Sequence, residues 1–195
     1  MGQPGSGIVV TPDSKTVYAV GTEGGLKDFH GTVTPIQQDH ALRPIFVPQS
    51  PDGITLAPDG RTGYVVSRRW PPRASKHLRD TITPINLRSG TTLPPVMVRG
   101  SSNGFGSIAV APGGKTAYFL DTLLGVVTPI HLATHTAGRP ILSGKGSYTM
   151  LFGQGASIGY LIESDGVVPL NTATNTTLRP IKVPTVIDWG EAARR

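Results

Sequence analysis

The chain has 195 residues, including 25 glycines and 18 prolines, and its formal net charge is +6. Because glycine and proline both destabilise helix interiors, this composition favours many short strands joined by turns over a helical protein. The absence of cysteine excludes disulfides and thiolate metal sites, and no apolar run reaches the length of a membrane-spanning helix.

A pattern of strand, turn and strand recurs along the chain. In the first copy an apolar strand leads into a turn at Pro12, and a second strand follows around Tyr18. Proline presets φ for a turn, and the Asp or Gly residues that follow it suit the next turn positions. Proline and tyrosine keep this spacing in the next two copies, whereas the fourth has Gln154 in place of the proline. The four copies occupy residues 8–20, 54–66, 108–120 and 150–162.

Each copy continues into a second half that also recurs. A Thr-Val-Thr-Pro-Ile type of segment predicts a third strand, and an Arg-Pro-Ile type of segment predicts a fourth. Four antiparallel strands in about 40–45 residues is the size of a β-propeller blade, and such a sheet buries both faces only by stacking on its neighbours. The third strands are predicted at residues 32–36, 81–85, 126–130 and 166–170, and the fourth strands begin near residues 43, 94, 139 and 179.

Prolines recur in the third and the fourth strand of every copy. A proline that opens the outermost strand is tolerated there, because the missing N–H faces solvent. A proline inside the third strand conflicts with pairing on both sides, so we expect either a bulge or a fourth strand that pairs only in part. The outermost-strand prolines are Pro44, Pro95, Pro140 and Pro180, and the third-strand prolines are Pro35, Pro84, Pro129 and Pro169.

The predicted fold is therefore all-β: four four-stranded antiparallel blades that form a small open or partial ring. The repeats occupy residues 8–183, between a leader of residues 1–7 and a tail of residues 184–195 that has no repeat character. The leader lacks the basic and apolar regions of a signal peptide, so we expect a cytoplasmic protein or a piece of a longer one. The blades are predicted at residues 8–47, 54–98, 107–142 and 148–183.

The recurring Ile-x-x-x-Pro-Asp-Gly-Lys-x-x-Tyr-Val type of core resembles the YVTN-type β-propeller repeat family (YncE-like propeller proteins), over about residues 8–183. The resemblance implies a propeller fold and a secreted or cell-surface location, but no specific activity. Rings of this family commonly have seven blades, more than the four found here. We therefore expect a truncated product, an open arc or a half-ring that closes by dimerising. Stacking faces left bare on the first and fourth units would be large apolar patches of the kind that mark interfaces.

One insertion concentrates the positive charge, between the second and third strands of the second unit. Arginine matches phosphate or carboxylate groups, and tryptophan stacks on a base or a sugar ring. The leading hypothesis is a non-enzymatic binding module for a protein, a glycan or a small anion; the alternatives are nucleic-acid binding through residues 68–79 and a merely solvated insertion. The candidate binding residues are Arg68, Arg69, Trp70, Arg73, Lys76 and Arg79.

Carboxylates near the same loops suggest a further alternative, a lactonase-like metal-dependent hydrolase. Such an enzyme needs convergent ligands, and these carboxylates come from loops of differing length, so we expect no catalytic residues, no bound metal and no cofactor. His131 and His135 occupy positions where the repeat prefers Asp and Gly, which is typical of a strand end and a turn rather than a ligand set. The candidate carboxylates are Glu23, Asp28, Asp52, Asp121, Glu163 and Asp165.

Overall fold

A computed structural model describes residues 7–24, 30–48, 50–68, 79–100, 106–144, 146–153, 155, 157–163 and 166–183 of the chain. Within these ranges the regular structure consists entirely of β-strands, arranged in four antiparallel sheets. Each sheet uses strands that are consecutive in the sequence, which confirms the predicted all-β array of four blades. The tail, residues 184–195, and all of the leader except Gly7 lie outside the described residues. No helix in the described part is long and apolar enough to span a membrane.

Each sheet has three continuous strands and an outer strand divided into two short pieces. The first sheet contains β1 (Ile8–Val10), β2 (Val17–Glu23), β3 (His30–Gln37), β4 (His40–Ala41) and β5 (Ile45–Val47). The second contains β6 (Pro51–Leu56), β7 (Thr62–Ser67), β8 (Arg79–Asn86), β9 (Thr91–Thr92) and β10 (Val96–Arg99). The third contains β11 (Gly106–Val110), β12 (Thr116–Asp121), β13 (Val126–His131), β14 (Thr136–Ala137) and β15 (Ile141–Leu142). The fourth contains β16 (Thr149–Phe152), β17 (Ile158–Ile162), β18 (Gly166–Asn171), β19 (Thr176–Thr177) and β20 (Ile181–Lys182).

The divided outer strand explains how a proline fits inside the third strand. In the second sheet β9 pairs with the end of β8 and β10 with its beginning, so Pro84 lies opposite the break between them. The carbonyl oxygen of Pro84 accepts a hydrogen bond from the N–H of Leu93, at 2.8 Å, on the same side. Since the N and O atoms of one strand residue face the same neighbour, the missing N–H removes no bond to β7. Partial pairing of the fourth strand is thus confirmed.

The hydrophobic core lies between the sheets. One buried cluster joins the first sheet to the second and contains Val9, Tyr18 and Ile54. A second cluster, including Val66 and Phe119, joins the second sheet to the third, and a third cluster joins the third sheet to the fourth. Stacking therefore stabilises each sheet through its sequence neighbour, as expected of a repeat array.

Repeat-equivalent residues differ in burial at the two ends of the array. Ile8 is 55% exposed, whereas its equivalents Ile54, Ile108 and Met150 are at most 1% exposed, because each of those has a preceding sheet against it. At the other end Tyr160 is 39% exposed, whereas the equivalent tyrosines of the first three sheets are at most 5% exposed. The first and fourth sheets therefore each present one apolar face that no described sheet covers.

Candidate functional site

A β-bulge shapes the edge of the second sheet where its long connections lie. The register of β6 against β7 shifts between Pro51 and Gly53, which leaves Asp52 as the extra residue. Bulges commonly redirect one side chain, and here the Asp52 carboxylate meets the Arg68 guanidinium, with Oδ2 and Nε 2.5 Å apart. Because the strands are antiparallel, the starts of β6 and β8 and the ends of β7 and β10 share this edge. We call this edge, and its counterparts in the other sheets, the loop face.

Asp80, the second residue of β8, is one of two deeply buried carboxylates at the loop face, the other being Asp121. Its side chain is only 3% exposed, and Oδ2 has no hydrogen-bond partner among the described residues. The carboxylate lies directly against the Cα of Gly100, where a side chain on residue 100 would collide with it. Burial, together with the negative charges of Asp121 and Asp52, raises the pKa of Asp80 to about 7, despite the opposing charge of Arg68.

Asp121 brings the third sheet into the same cluster. It ends β12, and its Oδ1 accepts hydrogen bonds from the backbone N–H groups of Leu123 and Leu124, at 3.0 and 2.8 Å. These bonds hold the tight turn between β12 and β13 and leave its charge close enough to act on Asp80. The site is thus a cluster that spans the second and third sheets. It consists of two buried carboxylates, Asp80 and Asp121, and the partly buried ion pair of Asp52 and Arg68.

The main effect of this cluster is to change the pKa values of its carboxylates. Burial raises the pKa of Asp52, and Arg68 counteracts that effect by neutralising its charge. Within the described residues no group of three or more His, Asp or Glu side chains has the geometry to hold a metal ion. The prediction of a metal-dependent hydrolase therefore finds no ligand set in the described part of the chain and stays a prediction.

The basic insertion is described only at its two ends. Arg68 is half-buried in the ion pair with Asp52, whereas Arg79 begins β8 with its side chain exposed. Arg79 lies directly opposite Arg99 of β10, which is also exposed, so two guanidinium groups share one face of the sheet. The other candidate binding residues, Arg69, Trp70, Arg73 and Lys76, lie outside the described residues.

The remaining candidates do not join the cluster. Glu23 is exposed at the end of β2, and Glu163 accepts a hydrogen bond from Ser147 Oγ at 2.8 Å. His131 ends β13, and His135 occupies a turn position with φ of +52°, where the equivalent Gly90 has φ of +67°. Asp28 and Asp165 lie outside the described residues.

Sequence reasoning missed Asp80 and Arg99. Asp80 lies two residues before Ile82 in β8, so both residues belong to the same face of the sheet. Ile82 and its equivalents form part of the core, and the period-two pattern alone therefore places Asp80 on the core face. The equivalent residues of the first and third sheets, Gly31 and Gly125, have no side chain there. A carboxylate at a core-facing position was therefore the available signal.

No family model and no curated protein matches the sequence. Among solved structures, hydrazine synthase of Kuenenia stuttgartiensis is similar over 90% of this chain and 48% of its own, with 16% identity and a TM-score of 0.64. A functionally unknown protein from Desulfotomaculum acetoxidans DSM 771 is similar over 95% of this chain and 58% of its own, with 16% identity and a TM-score of 0.66. An auxiliary nutrient binding protein from Bacteroides thetaiotaomicron VPI-5482 is similar over 91% of this chain and 42% of its own, with 12% identity and a TM-score of 0.56.

These similarities concern the fold alone, because the identities are low. The chain spans about half the length of the solved structures that it matches. Together with the four stacked antiparallel sheets, they show that this chain is a partial β-propeller array.

Proposed function

We propose that the chain is a YVTN-type propeller protein and a non-enzymatic binding module, which holds an anionic group of a glycan or small molecule on its loop face. The family assignment is supported by the Pro-to-Tyr core of the first three copies, by the tyrosine that the fourth copy keeps, and by the blade-like sheet that each copy forms. The ligand class is supported by the charge at the loop face of the second sheet.

The pairing of Arg79 with Arg99 carries the proposal. Directly opposite residues of antiparallel strands have Cβ atoms about 4.5–5.5 Å apart, and like charges there repel each other. The described residues place no acidic side chain in an ion pair with either arginine. A phosphate, sulfate or carboxylate group between the two guanidinium groups would remove this repulsion and accept charge-assisted hydrogen bonds from both.

The basic insertion extends this site. Arg79 is its last residue, so Arg69, Arg73 and Lys76 belong to the connection that enters β8 at the arginine pair. Trp70 supplies an aromatic surface suited to a sugar ring. Arg68 belongs to the Asp52 ion pair, so the proposed site consists of Arg79 and Arg99 supplemented by the insertion.

Calorimetry with two probes, inorganic phosphate and a sulfated disaccharide, tests the proposal. We expect binding that weakens as salt is raised, and an Arg79→Gln/Arg99→Gln variant that binds about ten-fold more weakly, equivalent to about 1.4 kcal/mol. The matched control, Arg88→Gln/Arg139→Gln, removes the same charge from two other exposed arginines and should bind like the unmodified chain.

Three outcomes would overturn the proposal. One is the absence of binding to either probe at low salt. Another is an equal loss of affinity in both double variants, which would mean that the lower net charge, and not a site at Arg79 and Arg99, weakens binding. A third is tight one-to-one binding of Ca²⁺ that is abolished by changes to loop-face carboxylates, which would favour the hydrolase. Binding of single-stranded DNA with a steep salt dependence, without binding of either probe, would instead favour a nucleic-acid function.

A further inference from the structure

Two apolar sheet faces at the ends of the array have no described sheet packed against them. The leading face, on the first sheet, carries Ile8, Val10 and Phe46, all of them at least half exposed. The trailing face, on the fourth sheet, carries Leu151, Tyr160 and Ile181, all of them exposed. Several exposed apolar side chains on one sheet face are typical of an interaction surface.

The three internal junctions between sheets show which surface packs against each of these faces. At all three internal junctions the trailing face of one sheet packs on the leading face of the next. Ile54, the equivalent of Ile8, is buried in one cluster with Val9, the equivalent of Leu151. The tyrosine of the trailing face donates across the junction, as Tyr18 does to the carbonyl oxygen of Leu87 at 3.4 Å. The two uncovered faces are therefore the two halves of a junction that this chain forms three times.

We propose that a second copy of this chain covers both faces, so that the trailing face of each copy stacks on the leading face of the other. Two such junctions related by a twofold axis close the assembly and leave no sheet face bare. The length of the matched structures also supports a second copy, because this chain covers about half the length of each of the three solved chains named above. The repeat equivalence places Leu151 of one copy against Ile8 of the other, and directs the Tyr160 hydroxyl to the carbonyl that follows β3.

Light scattering combined with size-exclusion chromatography gives the first test. We expect a mass of about twice the 20.5 kDa of one chain, unchanged over a hundred-fold range of concentration in the micromolar region. A monomer with intact β-sheet circular dichroism would overturn the proposal and leave further blades of a longer chain as the occupant. Particles whose mass grows with concentration would overturn it as well, since they indicate open stacking rather than a closed pair.

A charge-swap pair of variants tests which faces meet. Ile8→Lys/Leu151→Lys puts lysines on both sides of each proposed junction, and we expect a monomer. Ile8→Lys/Leu151→Glu differs only at residue 151 and puts opposite charges across the junction, and we expect a dimer again. Leu123→Lys, at an exposed position in the turn after β12, is the control that should remain dimeric.

The oligomeric states of the two double variants distinguish a head-to-tail dimer from dimers that use other surfaces. If both double variants are monomeric, like faces meet each other and the head-to-tail junction is wrong, because lysine at residue 8 then repels itself in either variant. If both double variants remain dimeric, the dimer uses another surface and the proposal is again wrong. Circular dichroism of the lysine–lysine variant serves as the folding control, since both substituted side chains are solvent-exposed in one copy.

Discussion

The hydroxyl of Tyr118, in the third sheet, donates a hydrogen bond to Oδ1 of Asn175 in the fourth sheet, at a distance of 2.9 Å. The same hydroxyl lies 3.4 Å from the carbonyl oxygen of Thr172. Burial raises the pKa of Tyr118 to about 12, so the phenol keeps the proton that it donates. A residue that defines the repeat in sequence thus also joins one repeat to the next.

Replacement of Tyr118 by phenylalanine should lower the free energy of unfolding by about 1 kcal/mol, because it removes the hydroxyl and leaves Asn175 Oδ1 without this donor. Tyr160→Phe is the matched control, since the equivalent tyrosine has no described sheet beyond it; we expect a change within about 0.5 kcal/mol. Urea titrations of both variants in the Ile8→Lys/Leu151→Lys background compare them without any contribution from association. Equal effects of the two substitutions would contradict a role for Tyr118 in joining the sheets.

The buried Asp80 carboxylate predicts a pH-dependent stability. Its pKa is about 7 in the folded protein, raised from the 3.8 that is ordinary for an aspartate by burial and by the negative charges of Asp121 and Asp52. Between these pH values the folded protein retains a proton that the unfolded chain releases, so the free energy of unfolding falls as the pH rises from about 4 to about 7. Well above pH 7 this contribution is fully lost, and the total loss is on the order of 4 kcal/mol.

An Asp80→Asn variant tests this dependence, because asparagine keeps the shape of aspartate without its charge. We expect it to be more stable than the unmodified chain at pH 8, to lose the advantage at pH 4, and to show a flatter profile between them. Asp59→Asn, which changes an exposed turn carboxylate that accepts a hydrogen bond from the Arg61 N–H, is the control. Parallel pH profiles for Asp80→Asn and the unmodified chain, measured by chemical unfolding, would contradict the prediction.

The contact between Gly100 and Asp80 predicts a steric effect. A methyl group on residue 100 would occupy the position of the Asp80 carboxylate, so Gly100→Ala should destabilise the fold by about 1–3 kcal/mol. Gly113→Ala is the control, because a methyl group there meets nothing within 4 Å, and we expect a change within about 0.5 kcal/mol.

A double-mutant cycle assigns the cause of the Gly100 effect. In an Asp80→Ala background the space beside residue 100 is empty, so Gly100→Ala should cost clearly less than in the unmodified chain. Thermal or urea unfolding of the four proteins measures the coupling. An additive cycle would mean that backbone conformation, rather than the Asp80 side chain, is what requires glycine at residue 100.

Much of the fold can be predicted from local sequence patterns. The alternation around Tyr64, the turn at Pro58 and the proline of the third strand recur in register, so the strand order within each sheet follows from the repeat. The position of Pro84 also predicted either a bulge or a fourth strand that pairs only in part, because proline lacks an N–H to donate. The structure shows the partly paired strand. The division of that strand into β9 and β10 was not predicted, since it depends on where the chain leaves and rejoins the sheet.

Less of the candidate site could be predicted from the sequence. Asp52 and Asp121 were recognised as candidate carboxylates of the loops, but the bulge that turns Asp52 toward Arg68 has no clear sequence mark. Arg99 was overlooked because it lies twenty residues after Arg79, and only the pairing of β8 with β10 makes them neighbours.

The sequence by itself determined the all-β array and its four units, because strand periodicity acts over a few residues and is repeated four times. Only the tertiary structure decided which charges meet at the loop face and how deeply Asp80 is buried. Those properties arise where the second and third sheets stack, and stacking brings together residues that no local pattern connects.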